Sequence, residues 1–342
     1  MTNNWNLVGH EWAVDMLKKH VIHGTMRHAY LFAGPPGIGR RTLALRFAQA
    51  LNCRTPIEPG VPCGQCRDCK QIDAMQHADL NIVEPTVLDP KGGKELIPHS
   101  NGEIRIEQIR DLRRILNLRP YQSNYRVALL LNFNQTRRDN APNALLKTLE
   151  EAPSYAVLIL TADNPEQLLP TIISRCEVLR LRPLEIGQVR QALEDKGFET
   201  NQAKWIAHIS GGRFGTALRL IGNDSLMVER EERLNDLQSL ISASRVEKFA
   251  YADKLSKDKD AMRQAILIWL SYWRDVMLRT ALARTPLVNV DRNLEIEDIA
   301  SRMDLSSARR VVTDLEGALE KMDGNVNPKL LAEVLLLDLP KP

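Results

Sequence analysis

The residues whose types and spacing suit chemistry fall in four places along this 342-residue chain. The first is GPPGIGRRT, comprising Gly34, Pro35, Pro36, Gly37, Ile38, Gly39, Arg40, Arg41 and Thr42. A phosphate-binding loop is written GxxxxGK[ST]: its glycines let backbone N–H groups curl round phosphate, its lysine reaches the outer phosphates and its hydroxyl holds magnesium. Gly34 and Gly39 keep that spacing, but Arg40 takes the lysine's place, Arg41 takes the hydroxyl's, and Thr42 comes one position late. Arginine's wide planar head does not copy a lysine's compact charge. Two readings of the loop stay open, an ATP-binding loop and a strand-to-helix turn that needs positive φ. Hydrolysis is not expected of either.

A second place explains that last expectation. In a P-loop ATPase the strand RVALLLN, from Arg126, would end in acids that hold magnesium and polarise the attacking water. This one ends in Asn132 and Phe133. Asn132 carries no charge for a divalent ion, and Phe133 cannot act as a base.

CRTPIEPGVPCGQCRDC is the third place, with Cys53, Cys63, Cys66 and Cys69 offering four thiolates. Four sulfurs fit a closed, tetrahedral, structural zinc ion with no position left for water. Free thiols and an iron–sulfur cluster are the alternatives. The fifth cysteine, Cys176, is far from the others in sequence and is not expected to be a ligand. It closes the fourth place, IISRC, where Arg175 follows an amphipathic stretch. An arginine at a domain rim is ordinarily a solvated charge. At a subunit edge it is also what a neighbour's nucleotide site needs to stabilise a transferring phosphate. Arg110, Arg113 and Arg114 form a basic stripe that is either a solvated helix face or a contact for a phosphate backbone. The seven histidines show no metal spacing.

These groups need elements to position them. From Trp5 to about Arg182, continuous apolar runs (AYLF, LNIVE, RVALLLN and YAVLILTA) alternate with helical patterns at Arg41 to Leu51, Ile106 to Leu116 and Asn143 to Glu151. Such runs suit parallel strands covered on both faces, hence a layered α/β domain. After Leu181 the pattern is helical, through IGQVRQALEDKG and AKWIAHIS to SGGRFG, then a longer helical region. There Met262, Ile266, Trp269, Trp273 and Met277 recur at helical spacing, predicting a core rather than a cofactor site. A net charge of +3, from 46 basic and 43 acidic residues, does not by itself indicate nucleic acid. No apolar run approaches the roughly 20 residues of a membrane span, and the start MTNNWNLVGHEW lacks a signal-peptide core, so a cytoplasmic location is expected.

Several stretches together resemble the bacterial clamp-loader subunits of DNA polymerase III, a branch of the AAA+ proteins. They are RHAYLFAGPPGIG, the four-cysteine insertion after the loop helix, NALLKTLEEAP from Asn143 to Pro153, IISRC, and NVNPKLLAEVLLL near the C-terminus. The resemblance implies a P-loop AAA+ domain over residues 1–178, a parallel sheet with helices on both faces and a zinc module at 53–69. A small helical lid at 179–223 and an all-α collar at 224–342 would follow. Arg40, Arg41, Asn132 and Phe133 depart from the motor pattern of gamma and tau, and Gly215 stands where the motor's sensor arginine would align. The departures look like the delta-prime branch, which lacks ATPase and polymerase activity of its own; an ATP-hydrolysing, gamma-like motor is the alternative. Implied partners are gamma/tau and delta subunits in a hetero-pentamer, the sliding clamp, and primer-template DNA at replication forks in the nucleoid, with no membrane. Arg175 would serve in trans, as an arginine finger at a motor subunit's ATP site.

Overall fold

A computed structural model describes residues 5–88, 96–99, 102–136, 141–322, 324 and 326–340. Asn325, which opens the quoted NVNPKLLAEVLLL, lies outside them. Two compact units emerge, Met1–Gln188 with Arg213–Gly215, and Val189–Gly212 with Thr216–Pro342.

In the first unit, the helix α1 (Glu11–His23) leads to the strand β1 (Ala29–Ala33), and α2 (Arg40–Asn52) and α3 (Arg67–Asp73) follow. Next come β2 (Leu80–Val83), the antiparallel pair β3 (Thr86–Leu88) and β4 (Leu96–Pro98), α4 (Ile106–Leu116), β5 (Arg126–Leu130) and α5 (Ala141–Glu150). The unit is completed by β6 (Ala156–Ala162), α6 (Pro170–Ile173), β7 (Glu177–Arg180) and the start of α7 (Ile186–Glu194). The main sheet is parallel with strand order β2-β5-β6-β1-β7.

Alternation along the strands sorts side chains to two faces. Tyr30, Phe32, Val127, Leu129, Val157 and Ile159 pack with residues of α1 and α2. On the opposite face Leu31, Ala128, Leu130, Leu158 and Leu160 pack with residues of α4 and α5. Every residue of β1, β5 and β6 is buried, so apart from Arg126 and Thr161 these strands read as apolar runs. The edge strand β7 carries no such run: of Glu177 to Arg180 only Leu179 is buried. For that reason the sequence predicts four parallel strands where the sheet has five among the described residues, and β7 carries it to Arg180, past residue 178.

One buried charge organises the rim of this sheet. Asp79 carboxylate oxygens accept hydrogen bonds from the backbone N–H groups of Tyr121 (2.7 Å), Gln122 (2.9 Å) and Ser123 (3.1 Å), and Arg126 lies 3.2 Å away. Burial would raise its pKa, but the three N–H donors and Arg126 outweigh burial and hold the carboxyl below its ordinary range.

The second unit is helical: α8 (Thr200–Ile209), α9 (Phe214–Ile221, its first two residues belonging to the first unit), α10 (Asp224–Ser242), α11 (Arg245–Leu255), α12 (Lys259–Thr280), α13 (Asn293–Arg302), α14 (Leu305–Met322) and α15 (Pro328–Leu337). Its core surrounds α12, where Met262, Ile266, Trp269 and Trp273 are fully buried and Met277 is partly so. The indole N–H of Trp269 donates to the Arg233 carbonyl at 2.8 Å. Arg230 grips Asp291 with two hydrogen bonds (2.7 and 2.9 Å), fastening the segment before α13 to α10. Among the described residues no helix is long and apolar enough to cross a membrane.

Replacing Asp79 with alanine removes the acceptor of three N–H groups and leaves Arg126 without its counter-charge. We expect a loss of about 3–5 kcal/mol at neutral pH, read by urea unfolding. Because the native carboxyl is depressed, its contribution is present above the ordinary carboxylate range and is lost as pH falls through the native pKa. The gap between the two proteins therefore narrows on acidification.

Candidate sites at the glycine loop, the cysteine cluster and Arg175

β1 delivers the chain into the glycine loop, and α2 starts directly after Gly39. Gly34 has φ +152°, and a Cβ there would stand 2.5 Å from the Leu181 carbonyl oxygen. Glycine is required because the loop presses against the chain leaving β7. The N–H of Gly34 donates to the Ala162 carbonyl (3.1 Å), and the ring Nε2 of the buried His10 lies 3.1 Å from the Ile38 carbonyl. Burial lowers the pKa of His10, which favours a neutral ring donating to that carbonyl. Gly215 contributes a further strap: its N–H donates to the Gly37 carbonyl at 2.9 Å. A Cβ on Gly215 would lie 2.8 Å from that oxygen, so an arginine at this position requires the backbone to move.

Arg40 is only 8% exposed, and its Nη2 sits 2.5 Å from Asp163 Oδ1. Asn132 Oδ1 is a longer contact at 3.5 Å, while Arg40 Nη1 is buried and has no hydrogen-bond partner among the described residues. The guanidinium at the lysine's place is therefore neutralised inside the chain. Arg41 is exposed and turns away, its Nη2 against Met75 Sδ, and Thr42 is exposed as well. Asn132 caps a short 3-10 turn in a left-handed conformation, and Phe133 is buried in the apolar layer with α4 and α5.

The four cysteines do converge. Cys53 ends α2, Cys66 caps α3, and all four sulfurs lie within 4.8 Å of one another. The Cys53 to Cys63 separation is 3.5 Å, and Cys53 to Cys66 and Cys63 to Cys69 are both 4.0 Å. A tetrahedron with metal–sulfur bonds of about 2.3 Å has edges of about 3.8 Å, so this spacing fits a metal ion held by four thiolates. Donors are also in place for the sulfur charge. The Thr55 hydroxyl and the N–H groups of Cys66 and Gln65 point at Cys63 and pull its pKa down to about 6. Burial pushes the Cys53 and Cys69 thiols up. Binding a metal requires all of them deprotonated. The cluster is tied to the domain through Gln49, which donates to the Cys69 carbonyl (2.7 Å), and through the buried Asp68, which meets Arg54 (2.7 Å) and His77 (3.3 Å).

Cys176 lies apart from the cluster, and burial raises its pKa to about 12, leaving an unreactive thiol. Beside it, Arg175 follows α6 and is 36% exposed. Nη2 of Arg175 is 2.5 Å from Glu150 Oε1, and Nη1 donates to the Thr171 carbonyl at 2.9 Å. Arg110, Arg113 and Arg114 all lie on the exposed face of α4, with Arg114 paired to Asp111 at 3.2 Å.

Asp163, His10, Asp68, His77 and Glu150 lie around the candidate sites and are missed by motif reading. Asp163 left a trace, as an acid just after the strand YAVLILTA, but its meaning depends on β6 lying beside β1.

Comparison with known proteins covers most of the chain. The profile of the family described as "DNA polymerase III, delta subunit" matches residues 9–185, and that described as "DNA polymerase III, delta subunit, C terminal" matches residues 225–341. The DNA polymerase III subunit delta' of Pseudomonas aeruginosa is 30% identical, over 91% of this chain and 89% of its own. That of Bacillus subtilis is 27% identical over 95% of this chain and 94% of its own. The DNA polymerase III subunit tau of Escherichia coli is 32% identical over 55% of this chain, which spans 27% of tau. With profiles over both units and relatives aligned nearly end to end, the chain belongs to the DNA polymerase III delta-subunit family.

Proposed function

We propose that this chain is a delta-prime-type subunit of the DNA polymerase III clamp loader, working with gamma/tau motor subunits and delta to place a sliding clamp on primed DNA. In this reading it hydrolyses no ATP. Residues 179–223 serve as a lid and 224–342 as a collar that joins the pentamer. The observation that carries the reading is the Arg40 to Asp163 pair at 2.5 Å. A phosphate entering the loop must compete with a carboxylate already seated on the cation, and the strand ending in Asn132 and Phe133 supplies no acid for magnesium or water. Arg175 also carries a carboxylate partner, Glu150, but its side chain is 36% exposed against 8% for Arg40, which leaves it open to a neighbouring motor subunit's γ-phosphate.

A second reading of the loop, nucleotide binding without turnover, is favoured by one detail: Arg40 Nη1 is buried without a partner among the described residues and is a donor for a phosphate oxygen. Both readings give the same result in a turnover assay. Purified protein should show background ATP hydrolysis, and Arg40→Lys combined with Arg41→Thr should not raise it, because the acids at the end of β5 are still missing. Turnover that Arg40→Ala abolishes would refute the non-hydrolysing role.

Zinc is the ion we assign to the four thiolates, as a structural element with no open position. It would contribute on the order of 10 kcal/mol to local folding. Metal analysis should give a single zinc per chain, and Cys66→Ser should lower occupancy and the melting temperature together. Full occupancy in Cys66→Ser, or iron with visible absorption, would sink the assignment.

For Arg175, the measurement is DNA-stimulated ATP turnover and clamp loading by the complex reconstituted with motor and delta subunits. Arg175→Ala should leave assembly intact and slow hydrolysis at the adjoining site by about 10³-fold. Unchanged rates would remove the trans role.

A further inference from the structure

Arg175 is held before any neighbour arrives, and the residue that holds it is unusually placed. Glu150 is the last residue of α5, and Glu151 follows it. A helix C-terminus carries partial negative charge from its unpaired carbonyls, so carboxylates are poorly placed there and cations well placed. Lys147, in the last turn of α5, approaches Glu151 just beyond the helix at 4.0 Å, whereas Glu150 reaches across to Arg175. Helix stability therefore does not account for Glu150. Nor does the ion pair offer much to folding, since its side chains are 51% and 36% exposed and pairs in water add little.

The contact does restrict a long, rotamer-rich side chain. Glu150 and the Thr171 carbonyl accept from the two terminal nitrogens, fixing the plane of the guanidinium at the domain rim. A guanidinium has more N–H donors than these two contacts use, so donors remain for phosphate oxygens.

We infer that Glu150 is a positioning residue for Arg175, pre-aligning the guanidinium so that its remaining donors meet the transferring phosphate of the neighbouring subunit. The inference rests on the trans role proposed above. Glu150 touches no substrate and acts through Arg175. Its effect is orientation in advance of the reaction, which removes the ordering of a free arginine from the barrier.

The test uses the reconstituted complex, with Glu150→Gln, Glu150→Asp, Arg175→Ala and the Glu150→Gln/Arg175→Ala double variant compared for DNA-stimulated ATP turnover. Glu150→Gln should lower kcat by about 10-fold with KM for ATP unchanged, because the finger acts on the transition state rather than on ground-state binding. Glu150→Asp, which keeps the charge, should recover part of the rate. The double variant should be no slower than Arg175→Ala alone, since both changes remove one device. All variants should melt with the parent, as befits an exposed pair.

Normal turnover by Glu150→Gln alongside a slow Arg175→Ala would overturn the positioning role and leave the finger standing. Faster turnover would overturn it too, making the carboxylate a restraint. A double variant slower than Arg175→Ala would show Glu150 acting elsewhere. Unchanged turnover by Arg175→Ala would remove the finger and the positioning role together.

Discussion

A buried arginine must find a counter-charge, because an unpaired cation in the protein interior costs several kcal/mol. Arg40 is placed by the glycine loop at the start of α2, and Asp163 meets it from the end of β6. The pair exists because β6 is hydrogen-bonded directly to β1, which brings the exits of both strands to one rim of the sheet. In a parallel sheet the ligand site lies at the carboxyl ends of the strands. Here that rim is furnished with an internal ion pair, a histidine on one loop carbonyl and the Gly215 N–H on another. The loop keeps its shape by contacts within the chain.

The same logic of internal satisfaction recurs at the other buried charges. Asp79 organises residues 121–123, and Asp68 joins the cysteine module to His77 and Arg54. Each stabilises only as a completed set, since removing one partner leaves the others buried and unpaired. The cysteine module is thus continuous with the domain: α2 ends at Cys53, and Gln49 of that helix holds the Cys69 carbonyl. An ion at the four sulfurs would be coupled to α2, and through α2 to the glycine loop at its other end. Arg175 and Glu150 differ in kind. They form an exposed pair at a rim, where the contact orders a side chain without committing it.

Much of the fold was legible from residue pattern. The strands β1, β5 and β6 announce themselves because burial on both faces demands unbroken apolar runs, and α4 begins and ends where its periodicity predicts. The edge strand β7 escaped notice because one covered residue, Leu179, leaves no run to see. The antiparallel pair of β3 and β4 escaped for a similar reason, being only three residues long on each side, with the residues of β4 exposed. Trp269 and Trp273 were readable as core because their spacing keeps both on one side of a helix.

What the sequence by itself determined was local: a glycine spacing, a missing lysine, strand ends without acids, four cysteines close enough along the chain to share an ion, and an arginine before a lone cysteine. These are properties of neighbouring residues, and short stretches of chain specify them. Only the tertiary structure decided who partners whom. Asp163 meets Arg40 across 123 positions, Glu150 meets Arg175, and Gly215 meets Gly37, because strand order and helix packing bring distant segments together. Long-range pairing follows from burying both faces of one sheet at once, and no local pattern carries that information.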